Sequence, residues 1–134
     1  MTGIEVSAAI LVNDDQILCL QRGENKHDYI SYKFEFPGGK LEPGESAVEA
    51  LSRELTEEMH IELDKSDFEY FMTVFHRYPD FAIALHAYIV QVPSREFDLV
   101  EHVSFQWLDI SKLNSLDWAG ADWPIVKRLM GVID

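Results

Sequence analysis

The chain has 134 residues, 47% of them hydrophobic, which suits one domain spanning 1–134 around a single core and excludes a disordered polymer. Its net charge of −13 argues against a nucleic-acid polymer as partner, because no basic stripe is available to displace counterions from a phosphate backbone; a small polyanion held through metal ions is still compatible. A single cysteine rules out an internal disulfide, and neither a leader-like N-terminus nor an apolar run near the ~20 residues of a membrane span is present, so the expectation is a cytoplasmic protein with no membrane partner.

In chain order, Ile4–Val12 reads as a strand, Asn13-Asp14-Asp15 as a turn and Ile17–Arg22 as the hairpin partner. Cys19 lies in the apolar run Ile17–Leu20 and reads as a small buried hydrophobe rather than a nucleophile. Gly23–Tyr32 is polar and irregular, and Lys33–Phe36 is a short strand that ends at the breakers Pro37-Gly38-Gly39. A helix follows, with Ala47, Val48, Leu51 and Leu55 at helical spacing, Ser46 as its cap and Glu49 three residues on as in a capping box. Phe68–Arg77 and Ala82–Val92 are β-rich and flank Tyr78-Pro79-Asp80-Phe81, a hairpin turn. Val103–Leu108 is a further strand, Asp109–Leu113 a short helix, and Ala121–Met130 a longer one with Pro124 in its first turn. Strands first and last, with helices between and after, place the chain in the α/β class with a mixed sheet.

The chemistry concentrates in the central helix. Glu54, Glu57 and Glu58, at offsets of three and four, share one side of it, with Arg53 alongside. Ten acids fall between Glu42 and Glu69 against only Arg53 and Lys65. Crowded carboxylates repel one another unless a cation compensates, and hard divalent ions such as Mg²⁺ or Mn²⁺ take oxygen ligands of this kind. The competing reading is an acidic amphipathic helix with solvated side chains. His27, His76, His86 and His102 show no zinc-type spacing, and Trp107, Trp118 and Trp123 read as core or rim aromatics.

From Gly39 to Ile61 the pattern Gly-x5-Glu-x7-Arg-Glu-apolar-x-Glu-Glu resembles the signature of the Nudix hydrolases, and Glu35-Phe36-Pro37-Gly38 resembles the MutT-type branch. Six fixed positions at about 7% each match by chance roughly once in 10⁷ starting points. One position departs: His60 stands where the family has glycine, at a place suited to a left-handed helix cap. The resemblance implies a Nudix α/β/α sandwich that hydrolyses nucleoside diphosphate derivatives, in the MutT branch nucleoside triphosphates to monophosphate and pyrophosphate. It implies Glu54, Glu57, Glu58 and the carbonyl of Gly38 as metal ligands for Mg²⁺ or Mn²⁺, and Arg53 as the residue that orients the catalytic glutamate, paired with Glu45 or Glu54.

Glu101, six residues before Trp107, is similarly placed to a MutT-type loop glutamate and reads as a metal ligand or general base, a role for which Glu54 and Glu57 are the other candidates. Arg22 and Lys40 are candidate phosphate or base contacts, and Phe36 and Phe81 candidate walls of a base pocket. Asp122, in Ala121-Asp122-Trp123-Pro124, either reads the base or caps the last helix; the stretch is similar to those of MutT and of CTP pyrophosphohydrolase-like relatives, which makes oxidised guanine and cytosine the two candidate bases. Hydrolysis of ADP-ribose or a dinucleoside polyphosphate, and a nucleotide sensor without catalysis, are the rival functions. The partner is a small nucleotide, and the state a monomer or homodimer.

Overall fold

Alternation along the first strand sorts the whole molecule into two faces. In the computed structural model, which describes residues 3–131, β1 (Ile4–Asn13) sends Ala8 and Ile10 to one side and Ala9 and Leu11 to the other, all at most 2% exposed. Asp14 and Asp15 take φ of 54° and 63°, the left-handed pair that a two-residue hairpin needs, and return the chain into β2 (Gln16–Gln21). Short strands β3 (Phe34–Glu35) and β4 (Gly38–Lys40) follow, then α1 (Ala47–Met59), β5 (Glu69–Arg77), β6 (Ala82–Gln91), β7 (Ser104–Asp109) and α2 (Trp123–Leu129).

These strands form one seven-stranded mixed sheet along the path β3-β2-β1-β6-β5, with β4 paired to β1 and β7 to β2. β1 and β6 run parallel from Ile4 opposite Ile83 to Val12 opposite Gln91. The other edge of β1 is divided: Val6–Ala8 pair with β4, whereas Val12 and Asn13 pair with β2. On one face Leu51, Leu55 and Met59 of α1 close over Ala9, Leu11, Leu18 and Leu20. On the other, Leu113, Trp118 and the α2 residues Ile125 and Val126 cover Ala8, Ile10 and Ile17. Each fully buried aliphatic side chain of this kind contributes roughly 1.5–3 kcal/mol. The result is the expected α/β/α sandwich. Cys19 is fully buried, and burial pushes its thiol up to about 12, as befits a core hydrophobe.

The differences from the sequence reading are local. Gly38 and Gly39, read as breakers with Pro37, form a strand with Lys40 because β1 supplies a paired backbone. The buried face of α1 is built from Ala50, Leu51, Leu55 and Met59, while Ala47 stays partly exposed. The segment after β7 is a 3₁₀ helix over Ile110–Ser115, and α2 starts at Trp123, not Ala121, because Ala119–Asp122 make a tight turn first.

Candidate active site

Helix α1 is fixed at both ends. Ser46 accepts from the Glu49 amide at 3.1 Å while the Glu49 carboxylate accepts from the Ser46 amide at 2.9 Å, the capping box expected from the sequence. At the other end His60 adopts φ 57° and ψ 34°, the left-handed cap that the family fills with glycine. Its Nδ1 lies 2.6 Å from Asp98 Oδ2, an exposed contact.

Between these ends Arg53 gathers the carboxylates. Its Nε and Nη2 donate to Glu45 at 2.8 and 3.0 Å, its Nη1 to Glu54 Oε1 at 2.9 Å and to Glu57 at 3.4 Å, and Nη2 also donates to the carbonyl of Lys40 at 3.0 Å. A planar guanidinium can satisfy several acceptors at once, which an ammonium cannot. The Glu54 carboxyl is raised by burial and by the charges of Glu58 and Glu57, against which Arg53 works. That carboxylate rests on Gly39: a Cβ there would lie 2.5 Å from its Cδ. Gly38 is equally constrained, since a Cβ would come 1.9 Å from the carbonyl oxygen of Ser7. Both glycines thus permit close approach, one of a carboxylate and the other of a neighbouring strand.

Glu58, 6% exposed, engages a different partner. Its Oε1 lies 2.6 Å from His102 Nδ1, close enough for a strong ion pair but off the line of a hydrogen bond. The opposite nitrogen of that ring, Nε2, is 2.8 Å from Glu35 Oε2. Burial works to lower the His102 pKa but is outweighed by Glu35 and Glu58, which push it up to about 9, so the ring is an imidazolium at neutral pH. Sequence reasoning weighed His102 only for zinc and Glu35 only as part of a motif. No spacing links residues 67 apart; the end of β2 does, with Gln21 opposite Phe34 of β3 and Ser104 of β7.

Beside β4 lies a cavity of about 220 Å³, lined by Arg22, Glu35, Phe36, Lys40, Tyr78, Phe81 and Asp122 among others. It is smaller than the roughly 300 Å³ at which drug-sized ligands fit, so it suits one part of a ligand such as a base. Phe36 stacks on Trp118 at 4.6 Å between centroids, and Tyr78 lies 5.2 Å from Phe81. The Tyr78 hydroxyl accepts from the Ala121 amide at 3.0 Å and so holds the turn that carries Asp122. Asp122, 4% exposed, sits at the N-cap position of α2, but its side chain makes no capping hydrogen bond there and instead accepts from the Phe36 amide through Oδ1 at 3.1 Å. Burial, with the nearby charge of Glu35, raises its carboxyl well above the ordinary range.

The structure therefore brings together Arg22, Phe36, Lys40, Phe81 and Asp122 around one cavity, and Arg53, Glu54 and Glu57 on one face of α1. Arg22 lies 3.7 Å from Glu35. Glu101 is exposed on the loop before β7 and joins neither group. Among the described residues no three His, Cys, Asp or Glu side chains converge on a point able to hold a metal ion. The donor chemistry nevertheless fits a hard divalent cation: Glu54, Glu57, Glu58 and the Gly38 carbonyl offer only oxygen, and Glu54, raised first by burial and then by the charges of Glu58 and Glu57, would gain from a nearby cation.

The comparisons agree with this fold. The NUDIX domain profile matches residues 1–129. The chain is 34% identical over 132 residues to the CTP pyrophosphohydrolase of Escherichia coli (strain K12), covering 98% of this chain and 95% of that protein. It is 30% identical over 130 residues to the 8-oxo-dGTP diphosphatase of the same organism, covering 96% and 98%. The solution structure of the E. coli ORF135 protein superposes with a TM-score of 0.81 at 34% identity, covering 98% of this chain and 91% of that one. With a matching fold, a matching profile along nearly its whole length and relatives of these activities, the chain belongs to the Nudix hydrolase family as a MutT-like nucleotide pyrophosphohydrolase.

Proposed function

We propose that this single-domain enzyme hydrolyses a nucleoside triphosphate to the monophosphate and pyrophosphate, with Mg²⁺ or Mn²⁺, and that its base is cytosine or 8-oxoguanine. The observation that carries this reading is the place of β4. Gly38, Gly39 and Lys40 line the base-sized cavity on one side, while Gly39 supports Glu54 and the Lys40 carbonyl holds Arg53 on the other. A ligand with its base in the cavity runs its phosphates across β4 to α1.

In this reading Phe36 and Phe81 flank the base, and Arg22 and Lys40 offset phosphate charge. Glu54, Glu57, Glu58 and the Gly38 carbonyl hold the divalent ion, which when bound neutralises the triphosphate and activates water. Arg53 fixes Glu54. The proton of the attacking water goes to Glu54, Glu57 or Glu101. Asp122 uses Oδ1 on Phe36 and keeps Oδ2 for the base. As a carboxylate Oδ2 accepts from the exocyclic amine of cytosine or from the N–H edge of an oxidised guanine; as a neutral acid it donates instead.

Pyrophosphate release from CTP, dCTP, dGTP, 8-oxo-dGTP, ADP-ribose and a dinucleoside tetraphosphate, each with Mg²⁺, Mn²⁺ or EDTA, tests the proposal. Metal-dependent turnover highest on cytosine or 8-oxoguanine triphosphates is expected. A preference for ADP-ribose or the dinucleotide refutes the substrate class, and binding without turnover makes the protein a sensor.

A further inference from the structure

We propose that His102 is a positioning residue that aims Glu58 at the divalent ion and, through Glu35, ties that ligand to the wall of the base cavity. This rests on the metal reading above. Arg53 and His102 act in parallel on the two flanking carboxylates of α1. Arg53 engages Oε1 of Glu54, and His102 engages Oε1 of Glu58, in each case leaving the second oxygen without a hydrogen bond among the described residues. For Glu58 the engaged oxygen is fully buried, which leaves Oε2 as the oxygen to meet an ion. A carboxylate held by one oxygen has its other oxygen aimed; one held by neither samples several rotamers and loses affinity for an ion.

The parallel ends there. The contacts of Arg53 stay on α1, β4 and the loop that joins them, whereas His102 has a second partner on another strand. Its Nε2 is 2.8 Å from Glu35, which lines the cavity and lies beside Arg22. The His102 side chain is 5% exposed and Glu35 23%, so the imidazole end of this bridge is held by packing while its Glu35 end reaches the cavity. A change at the cavity wall therefore reaches a metal ligand through one imidazole, and the path is short, contiguous and made of charged contacts.

The test measures Mn²⁺ binding to the nucleotide-free protein by water-proton relaxation, with circular dichroism melts as a folding control. His102→Ala is expected to raise the Mn²⁺ Kd by roughly 10- to 100-fold, the usual effect of losing a group that orients a metal ligand. Glu35→Gln, at a residue outside the proposed ligand set, is expected to raise that Kd in the wild-type background and to have no effect in the His102→Ala background. A folded His102→Ala protein that binds Mn²⁺ within about twofold of wild type overturns the inference, as does a Glu35→Gln effect of equal size in both backgrounds. Should His102→Ala fail to fold, unchanged Mn²⁺ affinity in Glu35→Gln alone overturns it. A wild-type protein that binds no Mn²⁺ at all refutes the metal reading itself.

Discussion

Replacing Asp122 by asparagine tests both the burial of that carboxyl and its use. The variant keeps an acceptor for the Phe36 amide, 3.1 Å away, and nearly the same volume, so packing and the turn before α2 are preserved. What it removes is a titration. Asp122 is almost fully buried and its folded-state pKa is raised, so between the ordinary carboxylate value and the raised one the native state holds a proton that the unfolded chain has released. In that window stability falls as pH rises, by at most about 1.4 kcal/mol per pH unit for one proton, and the loss is complete once pH exceeds the folded value. For a chain of 134 residues the unfolding entropy is about 0.28 kcal/mol/K, which makes the slope about 5 °C in Tm per pH unit. Thermal melts of both proteins from pH 4.5 to 9 therefore show the variant gaining on the wild type as pH rises, with other titrations cancelling in the difference. Parallel curves would refute the buried, proton-retaining carboxyl. On the functional side, Asp122→Asn is expected to change the ranking of kcat/KM among dCTP, dGTP and 8-oxo-dGTP, and an unchanged ranking would remove Asp122 from base reading.

Other outcomes follow from the carboxylate helix. Glu54→Gln and Glu58→Gln are each expected to lower kcat by at least ~10²-fold with the fold retained, because charge used in the transition state is lost; near wild-type turnover in both would take α1 out of the mechanism. Mg²⁺ or Mn²⁺ is expected to raise the wild-type Tm, and to do so less in these variants. Arg53→Lys keeps the charge but not the fork that reaches Glu45, Glu54 and the Lys40 carbonyl together, so kcat should fall by roughly 10-fold or more with KM little changed; a fall confined to KM would contradict an orienting role. His60→Gly relieves a left-handed backbone worth about 1 kcal/mol but gives up an exposed contact to Asp98 worth roughly 0–1 kcal/mol, so calorimetry should find stability within about 1 kcal/mol of wild type.

Local signals were readable and long-range ones were not. The Asp14-Asp15 turn, the capping box at Ser46 and the left-handed cap at His60 are decided within a few residues, and the chain shows them where the sequence placed them. In the set Arg22, Phe36, Lys40, Phe81 and Asp122, Arg22 and Asp122 came from resemblance, Lys40 from its place by the glycines and the phenylalanines as candidate pocket walls; sheet topology gathers all five around one cavity. β4 was missed because two glycines carry no strand propensity; β1 recruits them as a partner. His102 and Glu35 were missed for a deeper reason. Their contact exists only because β2 has β3 on one side and β7 on the other, and no local pattern encodes that.

That topology also explains how so acidic a region folds at all. Glu54 and Glu58 are partly or fully removed from water on a helix whose last turn carries no basic residue, a placement that costs stability unless each carboxylate finds a positive neighbour. The chain supplies two, one from the same helix and one from the loop before β7, and each engages one oxygen. Two clamped carboxylates with one oxygen apiece still carry more negative charge than Arg53 and His102 offset, since Glu45 and Glu57 also draw on Arg53, and Glu35 draws on His102 besides Arg22. In the proposed reading that remaining imbalance favours a divalent ion. If the ion takes the unclamped oxygens, as proposed, its binding would add to the clamps instead of displacing them.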